Sequence, residues 1–303
     1  MSAAPGRATG SVDAGTAAPD ADVGTAARAA EADTASHPGI AAPGHGGAGR
    51  ELRATLDLVE PALRRGAARL WRPAGLRGRY LRYLVAMHAV IRASVPLMVL
   101  AAAQCERAGP GDAAARRLAD GLARHIVREQ HHDDWLLADM AAAGLPYDQA
   151  LSGAGSPAVA RLVGPQYYWI QHSHPACLLG YIAVLEGNAP DPRLAALLAS
   201  RTGLPGAAFR TLRHHADADP GHSAEVHALL DGLGLDPARR RAVRVSALHT
   251  VRALLDLYDG LADDPGRPGA DDTDLTEDTA GPARAAGPPR APHATELTGG
   301  EPA

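Results

Sequence analysis

The segment His215-Ala-Asp-Ala-Asp-Pro-Gly-His222 places two imidazoles and a carboxylate in a His-x-x-x-Asp-x-x-His array. In a helix, His215, Asp219 and His222 stand at i, i+4 and i+7, so their side chains lie on one face. Two imidazoles with one carboxylate suit a divalent transition metal such as iron. With 14 His and 34 acidic residues in 303, chance gives such an array only about 0.07 times per chain. The segment therefore predicts a helix that binds metal.

Apolar residues around this array support the same interpretation. They form a stripe along the predicted helix: Ala208, Leu212, Val226 and Leu229. The three residues that interrupt the stripe are all of metal-ligand type. A single histidine on an inward face is usually a core residue, but three ligands in register favour a metal.

A second carboxylate and histidine stand at the spacing of Asp219 and His222, in Glu129-x-x-His132. This pair interrupts a stripe predicted to face inward: Leu122, His125, Ile126 and Leu136. Charged neighbours keep a solvated salt-bridge face open as an alternative: Arg124, Arg128, Asp133 and Asp134. Two such pairs on two helices, with further carboxylates, are typical of bundles that hold two metals. His131 is expected at the surface.

Glu186 is a further carboxylate on an apolar face, one residue before Gly187. Its face is formed by Leu178, Leu179, Ile182 and Ala183. A glutamate at a helix end can also extend to water, so this residue alone does not decide between a ligand and a solvated side chain.

Hydrophobic periodicity predicts an all-α protein without convincing strands. We expect seven helices, at about 51–70, 78–107, 112–143, 156–187 with a break near His174-Pro175, 190–202, 206–233 and 237–261. Pro- and Gly-containing turns separate them, and Asp236-Pro237 provides an N-cap followed by proline at the first helical position. Residues 1–49 and 263–303 contain few large apolar side chains, so we expect disordered tails around one domain at 50–262.

Composition narrows the classes of partner. The net charge is −4, lysine is absent, and no basic stripe with aromatic residues is present, which argues against nucleic acid. We therefore expect a small-molecule substrate. The sequence does not decide the oligomeric state, and a homodimer is one option.

Two cysteines, Cys105 and Cys177, and no apolar leader segment predict a cytoplasmic protein without a disulfide framework. The longest apolar stretch, 83–105, contains His88, Arg92 and Pro96 near its middle. Charge at that position is costly in a bilayer, so we expect a core helix and no membrane span.

The chain resembles the haem-oxygenase-like diiron oxidases and oxygenases over about residues 78–235. The resemblance is carried, in chain order, by Glu129-x-x-His132, Glu186 in Tyr-Ile-Ala-Val-Leu-Glu-Gly, and the array at 215–222. The resemblance implies a seven-helix haem-oxygenase-like bundle, two Fe(II) ions and activation of dioxygen. It also implies six iron ligands and no catalytic residue beyond them: Glu129, His132, Glu186, His215, Asp219 and His222.

Related proteins share that fold without all six ligands, so fold alone does not decide activity. A cofactor-independent oxidase of the same fold and a non-catalytic helical metal- or haem-binding protein therefore stay open as alternatives. The chain departs from the simplest pattern at Pro220-Gly221, where a helix loses the hydrogen bond to the carbonyl of Ala216.

His88 and Arg92 stand at i and i+4 on the predicted second helix, within a stripe of Leu84, Ile91, Val95 and Met98. An inward arginine requires an anion, so both are predicted to bind substrate, with a structural ion pair as the alternative. Three carboxylates around two Fe(II) leave a charge near +1, which favours a carboxylate-bearing amino acid, amine or fatty acid. N-oxygenation, C–C cleavage and decarboxylation remain open. Tyr167, Tyr168 and Trp169 are expected mainly to pack.

Overall fold

The computed structural model describes residues 47–109, 111–146 and 156–263, and every regular element within these ranges is helical. This confirms the all-α prediction. The α-helices are α1 Ala48–Leu70, α2 Leu76–Arg92, α3 Ser94–Arg107, α4 Ala113–Glu129, α5 His132–Ala142, α6 Pro157–His172, α7 Cys177–Glu186, α8 Leu194–Thr202, α9 Arg210–Gly232 and α10 Pro237–Asp263. A 3-10 turn, Gly206–Phe209, precedes α9.

Three of the seven predicted helical segments are each divided in two, so the predicted helix count is too low. Within the segment at 78–107, one helix ends at Arg92 and another begins at Ser94. Pro96 has no N–H to donate to the carbonyl of Arg92, which explains the interruption. The break expected near His174-Pro175 is confirmed, because α6 ends at His172 and α7 begins at Cys177.

The third division falls between Glu129 and His132, which we expected on one continuous helix. Gln130 is extended, with ψ at 140°, and His131 adopts a left-handed conformation with φ at 71°. Among the described residues, His131 is the only non-glycine with positive φ. That conformation costs on the order of 1 kcal/mol for a residue with a Cβ. Glu129 therefore ends α4 and His132 begins α5.

The first and last helices extend slightly beyond their predicted bounds, since α1 begins at Ala48 and α10 ends at Asp263. The backbone N–H of Gly49 donates a hydrogen bond of 2.7 Å to Asp231 of α9, which fixes the start of α1. Most of the predicted tails, 1–46 and 264–303, lies outside the described residues.

Two apolar clusters form the interior. The larger one contains buried side chains of most helices, among them Leu97, Leu178 and Leu254. The smaller one joins α2, α5, α8 and the start of α9, and in it Tyr80 stacks on Phe209 with ring centroids 4.6 Å apart. α10 packs against α1, α6 and α7. A Cβ at Gly180 would lie 2.4 Å from the carbonyl oxygen of Val243, so glycine permits the close approach of α7 and α10.

The apolar stretch Leu76–Arg107 is long and apolar enough, by those measures alone, to cross a membrane. It is divided into α2 and α3, and both contribute to the interior through Leu84, Val90 and Leu97, which are almost fully buried. The apolar side chains of this stretch therefore pack within the protein.

Candidate metal centre

Four helices bring a group of histidines and carboxylates together in the interior. α4 supplies residues from its last two turns, α5 its first residue, α7 its last residue and α9 its middle turns. This metal cluster consists of all six predicted ligands and one additional histidine: His125, Glu129, His132, Glu186, His215, Asp219 and His222. The helix of α9 continues through Pro220-Gly221, so its three ligand residues keep the predicted face.

One half of the cluster surrounds His132. Its Nδ1 lies 3.2 Å from Oε2 of Glu129, and its ring centroid lies 5.2 Å from that of His215. His215 uses its own Nδ1 for a 2.9 Å hydrogen bond with Oδ1 of Asp219. This contact leaves Nε2 of His215 available to a metal and fixes the orientation of the ring.

The other half surrounds Glu186. Its Oε1 lies 2.7 Å from Nε2 of His125 and 3.9 Å from Nδ1 of His222. The ligand atoms of His125, Glu129 and Glu186 all lie within 4.8 Å of one another, which is a spacing that one metal ion can span.

Glu129 faces both halves of the cluster. One carboxylate oxygen, Oε2, is turned toward His132, and the other, Oε1, lies 3.5 Å from Nδ1 of His222. A carboxylate placed in this way can bind two metal ions, one through each oxygen.

Several buried polar atoms of the cluster have no hydrogen-bond partner among the described residues. They are Glu186 Oε2 and His215 Nε2, together with His132 Nδ1 and His222 Nδ1, which lie near the carboxylate oxygens of Glu129 but without hydrogen-bond geometry. Buried polar atoms are costly when unpaired, and native proteins seldom leave four of them at one place. All four are of the nitrogen and oxygen types that bind iron, so the residues present fit an iron site.

Burial and neighbouring groups shift the pKa values of Glu186 and Glu129 in opposite directions. Burial raises the pKa of Glu186, although its contact with His125 opposes the rise. Burial also acts to raise the pKa of Glu129, but the close contact with His132 and the charge of that ring outweigh it, so that pKa lies below its usual value. Glu129 therefore ionises more readily than Glu186.

The pKa values of the cluster histidines also shift in opposite directions. Burial acts to lower the pKa of His125, but the hydrogen bond and charge of Glu186 outweigh it and raise the pKa. Burial also acts to lower the pKa of His215, but the hydrogen bond and charge of Asp219 outweigh it and raise the pKa. Burial lowers the pKa of His222, so that ring favours its neutral form. A neutral imidazole is the form that binds metal.

Aromatic contacts support the start of α5 beside the cluster. The ring of Trp135 stacks on His132 with centroids 4.4 Å apart, and the guanidinium carbon of Arg210 lies 4.9 Å from the centre of the Trp135 ring. His214 contacts the rings of both His132 and Trp135. These contacts restrict the rotation of His132. His131, next to it, has a side chain that is 72 % exposed, which agrees with its predicted surface position.

A cavity of about 120 Å³ lies between the two apolar clusters and reaches the metal cluster. Five cluster residues line it: His125, Glu129, Glu186, His215 and Asp219. The rest of its wall is mainly aliphatic, with the tyrosines 80, 83, 181 and 258 among the other lining residues. The arrangement places a small apolar chamber directly beside the candidate ligands.

The predicted substrate-binding pair does not line this cavity. Arg92 is exposed at the end of α2, and the expectation that it faces inward is wrong. The interruption at Ala93 explains the error, because the apolar spacing from Leu84 to Met98 spans two helices and does not mark one face. His88 is buried, and burial lowers its pKa, with smaller effects of Asp133 and Arg92.

The other aromatic residues singled out from the sequence also lie away from the cavity. Tyr167 is 40 % exposed and Tyr168 is 60 % exposed, and Tyr168 packs at the surface against the rings of Trp169 and His172. His125, by contrast, was present in the predicted inward stripe without being assigned as a ligand. Its i, i+4 relation to Glu129 is the signal that identifies it, since that spacing places both side chains on one helical face.

Comparison with known proteins gives a family and a fold. The sequence model of a family described as iron-containing redox enzymes matches residues 81–255. Similar solved structures include a domain of unknown function with a haem-oxygenase-like fold from Shewanella denitrificans (TM-score 0.59, 16 % identity, 69 % of this chain and 89 % of that chain). A TenA homologue from Pseudomonas syringae is also similar (TM-score 0.56, 14 % identity, 69 % of this chain and 91 % of that chain). No curated protein matches the chain.

Proposed function

The chain belongs to the family of iron-containing redox enzymes, and from this premise we propose that it is a non-haem diiron oxidase or oxygenase that uses dioxygen to oxidise a small carboxylate-bearing molecule. The observation that carries the proposal is the metal cluster, in which Glu129 turns one carboxylate oxygen toward each of two groups of donors. Three carboxylates and four histidines are more donors than one metal ion with open positions uses.

Each half of the cluster would hold one iron. Glu129, His132, His215 and Asp219 form the first group of donors. Glu129, Glu186, His125 and His222 form the second. When bound, the two ions supply the electrons that reduce dioxygen and a positive charge that attracts an anionic group of the substrate.

The protein side chains orient the donors and control protons. Asp219 accepts a hydrogen bond from His215 Nδ1–H, which directs Nε2 of that ring into the site. His125 Nε2 and Glu186 Oε1 form a hydrogen-bonded pair at 2.7 Å. Glu186 would hold iron in its ionised form, so loading of the site would be accompanied by loss of a proton from this pair.

Burial of the site excludes water from the reaction. Glu186 and Asp219 are nearly inaccessible to solvent, and the cavity beside them has an aliphatic wall. A substrate that fills this cavity displaces water from the metal cluster, which limits side reactions of activated oxygen.

Anaerobic loading with Fe(II), followed by mixing with dioxygen in a stopped-flow instrument, tests the proposal. A panel of amino acids, amines and fatty acids is screened for compounds that accelerate oxygen consumption and give product. We expect close to two irons per chain and at least one accelerating compound. Zero or one iron in a folded sample would contradict the diiron assignment, and oxygen chemistry without iron would support a cofactor-independent oxidase. Iron binding without turnover of any compound would support a carrier.

A further inference from the structure

We propose that Tyr83 and Tyr258 form a pair of hydrogen-bond donors in the cavity beside the metal cluster, and that this donor pair binds the carboxylate of the substrate. The inference rests on the proposed function, because it takes this cavity as the substrate site. It deepens that function by naming two residues that determine specificity and the part of the substrate that they recognise.

The described wall of the cavity contains no permanently charged cation. None of its residues is an arginine, and the chain contains no lysine. Arg92, which was predicted to bind the substrate, is exposed at the end of α2. A carboxylate that enters the cavity loses its hydration, so it depends on neutral donors in the wall and on the charge of bound iron.

Tyr83 of α2 is placed to act as one donor. It lines the cavity and is half-buried, whereas Tyr80 and Tyr181 of the same wall are almost fully buried. Burial is the largest cause of the raised pKa of Tyr83, so its hydroxyl lies away from bulk water and the accessible part of the residue faces the cavity. Within the described ranges this hydroxyl has no hydrogen-bond partner, and in contrast to that of Tyr181 it is not closed off from the cavity.

Tyr258 of α10 supplies the second donor. Its oxygen accepts a hydrogen bond from Nδ2 of Asn188 at 3.2 Å, which leaves its own proton for another acceptor. Burial raises the pKa of Tyr258 to about 12, against the effect of Asn188, so the hydroxyl keeps that proton at neutral pH. The same holds for Tyr83, whose pKa is raised further still.

The two hydroxyls lie near each other and near the metal cluster. After burial, Tyr258 and then Asp219 contribute to the raised pKa of Tyr83, although no hydrogen bond joins the two phenols in the described structure. An oxygen atom between the phenols can accept a hydrogen bond from each. The influence of Asp219 places the donor pair beside the half of the cluster that contains His215, where bound iron would balance the charge of a carboxylate.

Both rings are held in place before a ligand arrives. The ring of Tyr83 contacts Trp71 edge to face with centroids 4.9 Å apart, and it stacks on Tyr80 at 6.1 Å. The hydrogen bond from Asn188 fixes the hydroxyl of Tyr258. Donors that are already fixed lose little conformational entropy when they bind, which favours recognition by two neutral groups.

Anaerobic calorimetry on the Fe(II)-loaded full chain tests this inference with butyrate and benzene. The cavity volume of about 120 Å³ is similar to that of an engineered cavity of roughly 150 Å³ that binds benzene, and butyrate has the same number of non-hydrogen atoms. We expect Tyr83→Phe and Tyr258→Phe each to weaken butyrate by about 10- to 100-fold, the effect of one hydrogen bond to a charged group. Benzene has no acceptor oxygen, so its affinity should stay unchanged.

Tyr80→Phe is the matched control. It makes the same change in the same wall, but at a hydroxyl that already donates to the carbonyl of Ala208 at 2.7 Å. The control should leave the ratio of butyrate to benzene affinity unchanged. A purely structural role of Tyr83 or Tyr258 would lower both affinities together and leave that ratio at its wild-type value.

Unchanged butyrate affinity in either test variant would overturn the inference, as would parallel losses of butyrate and benzene or a wild-type protein that does not bind butyrate. Iron content and oxygen consumption are measured on the same samples. A selective loss of butyrate in protein that never holds two irons would contradict the proposed function and support the donor pair. Two irons and substrate-accelerated oxygen consumption, with no selective loss in the variants, would contradict the donor pair alone.

Discussion

Asp139 accepts a 2.9 Å hydrogen bond from the backbone N–H of Thr211 through Oδ2, and its Oδ1 accepts the N–H of Arg210 at 3.2 Å. Burial raises the pKa of Asp139, and the contacts with Thr211 and Arg210 oppose the rise. This carboxyl joins the helix that begins with His132 to the first turn of the helix that carries His215. Two groups of candidate ligands are therefore held in register by a residue that is not a ligand.

Replacement of Asp139 tests this link. Asp139→Ala leaves two buried N–H groups without their acceptor, so we expect a loss of about 2–3 kcal/mol in the free energy of unfolding. The displaced start of α9 should also lower iron affinity. Urea denaturation and iron titration provide the measurements. Asp134→Ala on the same helix is the control, since Asp134 has a side chain that is 64 % exposed. Equal stability of the two variants would refute the role of Asp139.

Removal of single ligands should affect iron content in a graded way. His215→Ala and Glu186→Ala each remove a donor from one half of the cluster, so we expect each to weaken one iron preferentially and leave the other bound. His131→Ala should be nearly silent, because that side chain is exposed. Iron stoichiometry by elemental analysis checks the result. Complete loss of both irons from either single variant would argue against two separable sites.

His125 should act as part of the iron site although it lies outside the sequence motif. We expect His125→Ala to lower iron affinity by roughly 10- to 100-fold, the usual effect of removing a side chain that binds or orients a metal ligand. His125→Gln restores a donor toward Glu186 and should recover part of the affinity. Competition with a chelator measures both variants. Wild-type affinity in His125→Ala would restrict the site to the six predicted residues.

Acid should destabilise the metal-free protein partly through His227. This residue donates from Nδ1 to the carbonyl of Gly49 at 3.0 Å in the neutral form. Burial and then the charge of Arg53 lower its pKa, against the hydrogen bond to Gly49 and the smaller effects of Asp231 and Asp57. A histidine whose folded pKa is depressed adds stability above its unfolded pKa of about 6.5, and that stability is lost as the pH falls through the folded value.

The corresponding test uses His227→Gln, which cannot take up the proton. Thermal unfolding with a chelator present is followed from about pH 7 to pH 5. The midpoint of the wild-type protein should fall more steeply than that of the variant over this range. Parallel curves would assign the acid sensitivity to other groups, such as His88 and His222, whose pKa values are also lowered by burial.

Iron should also change the local stability of α9. Without metal, Glu129, Glu186 and Asp219 form a buried group of carboxylates, and Pro220-Gly221 weakens the helix beside it. We expect amide exchange in residues 214–226 to be fast without metal and to slow markedly when Fe(II) is added, whereas residues 78–105 change little. Equal protection of 214–226 in both states would indicate a preformed site.

The sequence predicts that His215, Asp219 and His222 share one face of α9, and the structure agrees because residues within one helix have a fixed local spacing. Glu129 and His132 also lie together as predicted, although their spacing arises across a break and not on one continuous helix. The prediction for Arg92 was wrong because hydrophobic periodicity assumes an unbroken helix. The helix is interrupted at Ala93, so the apolar residues before and after that residue do not lie on one face.

The left-handed residue His131 places the two ends of the Glu129-x-x-His132 motif on separate helices. α4 packs mainly against α3 and α5 mainly against α2 and the 3-10 turn before α9, while both also contact α9. A substitution that shifts α5 therefore moves His132 and, through Asp139, the start of α9. Changes around α5 thus act first on the half of the centre that contains His132 and His215, and glycine is the natural replacement at 131 for letting α5 turn relative to α4.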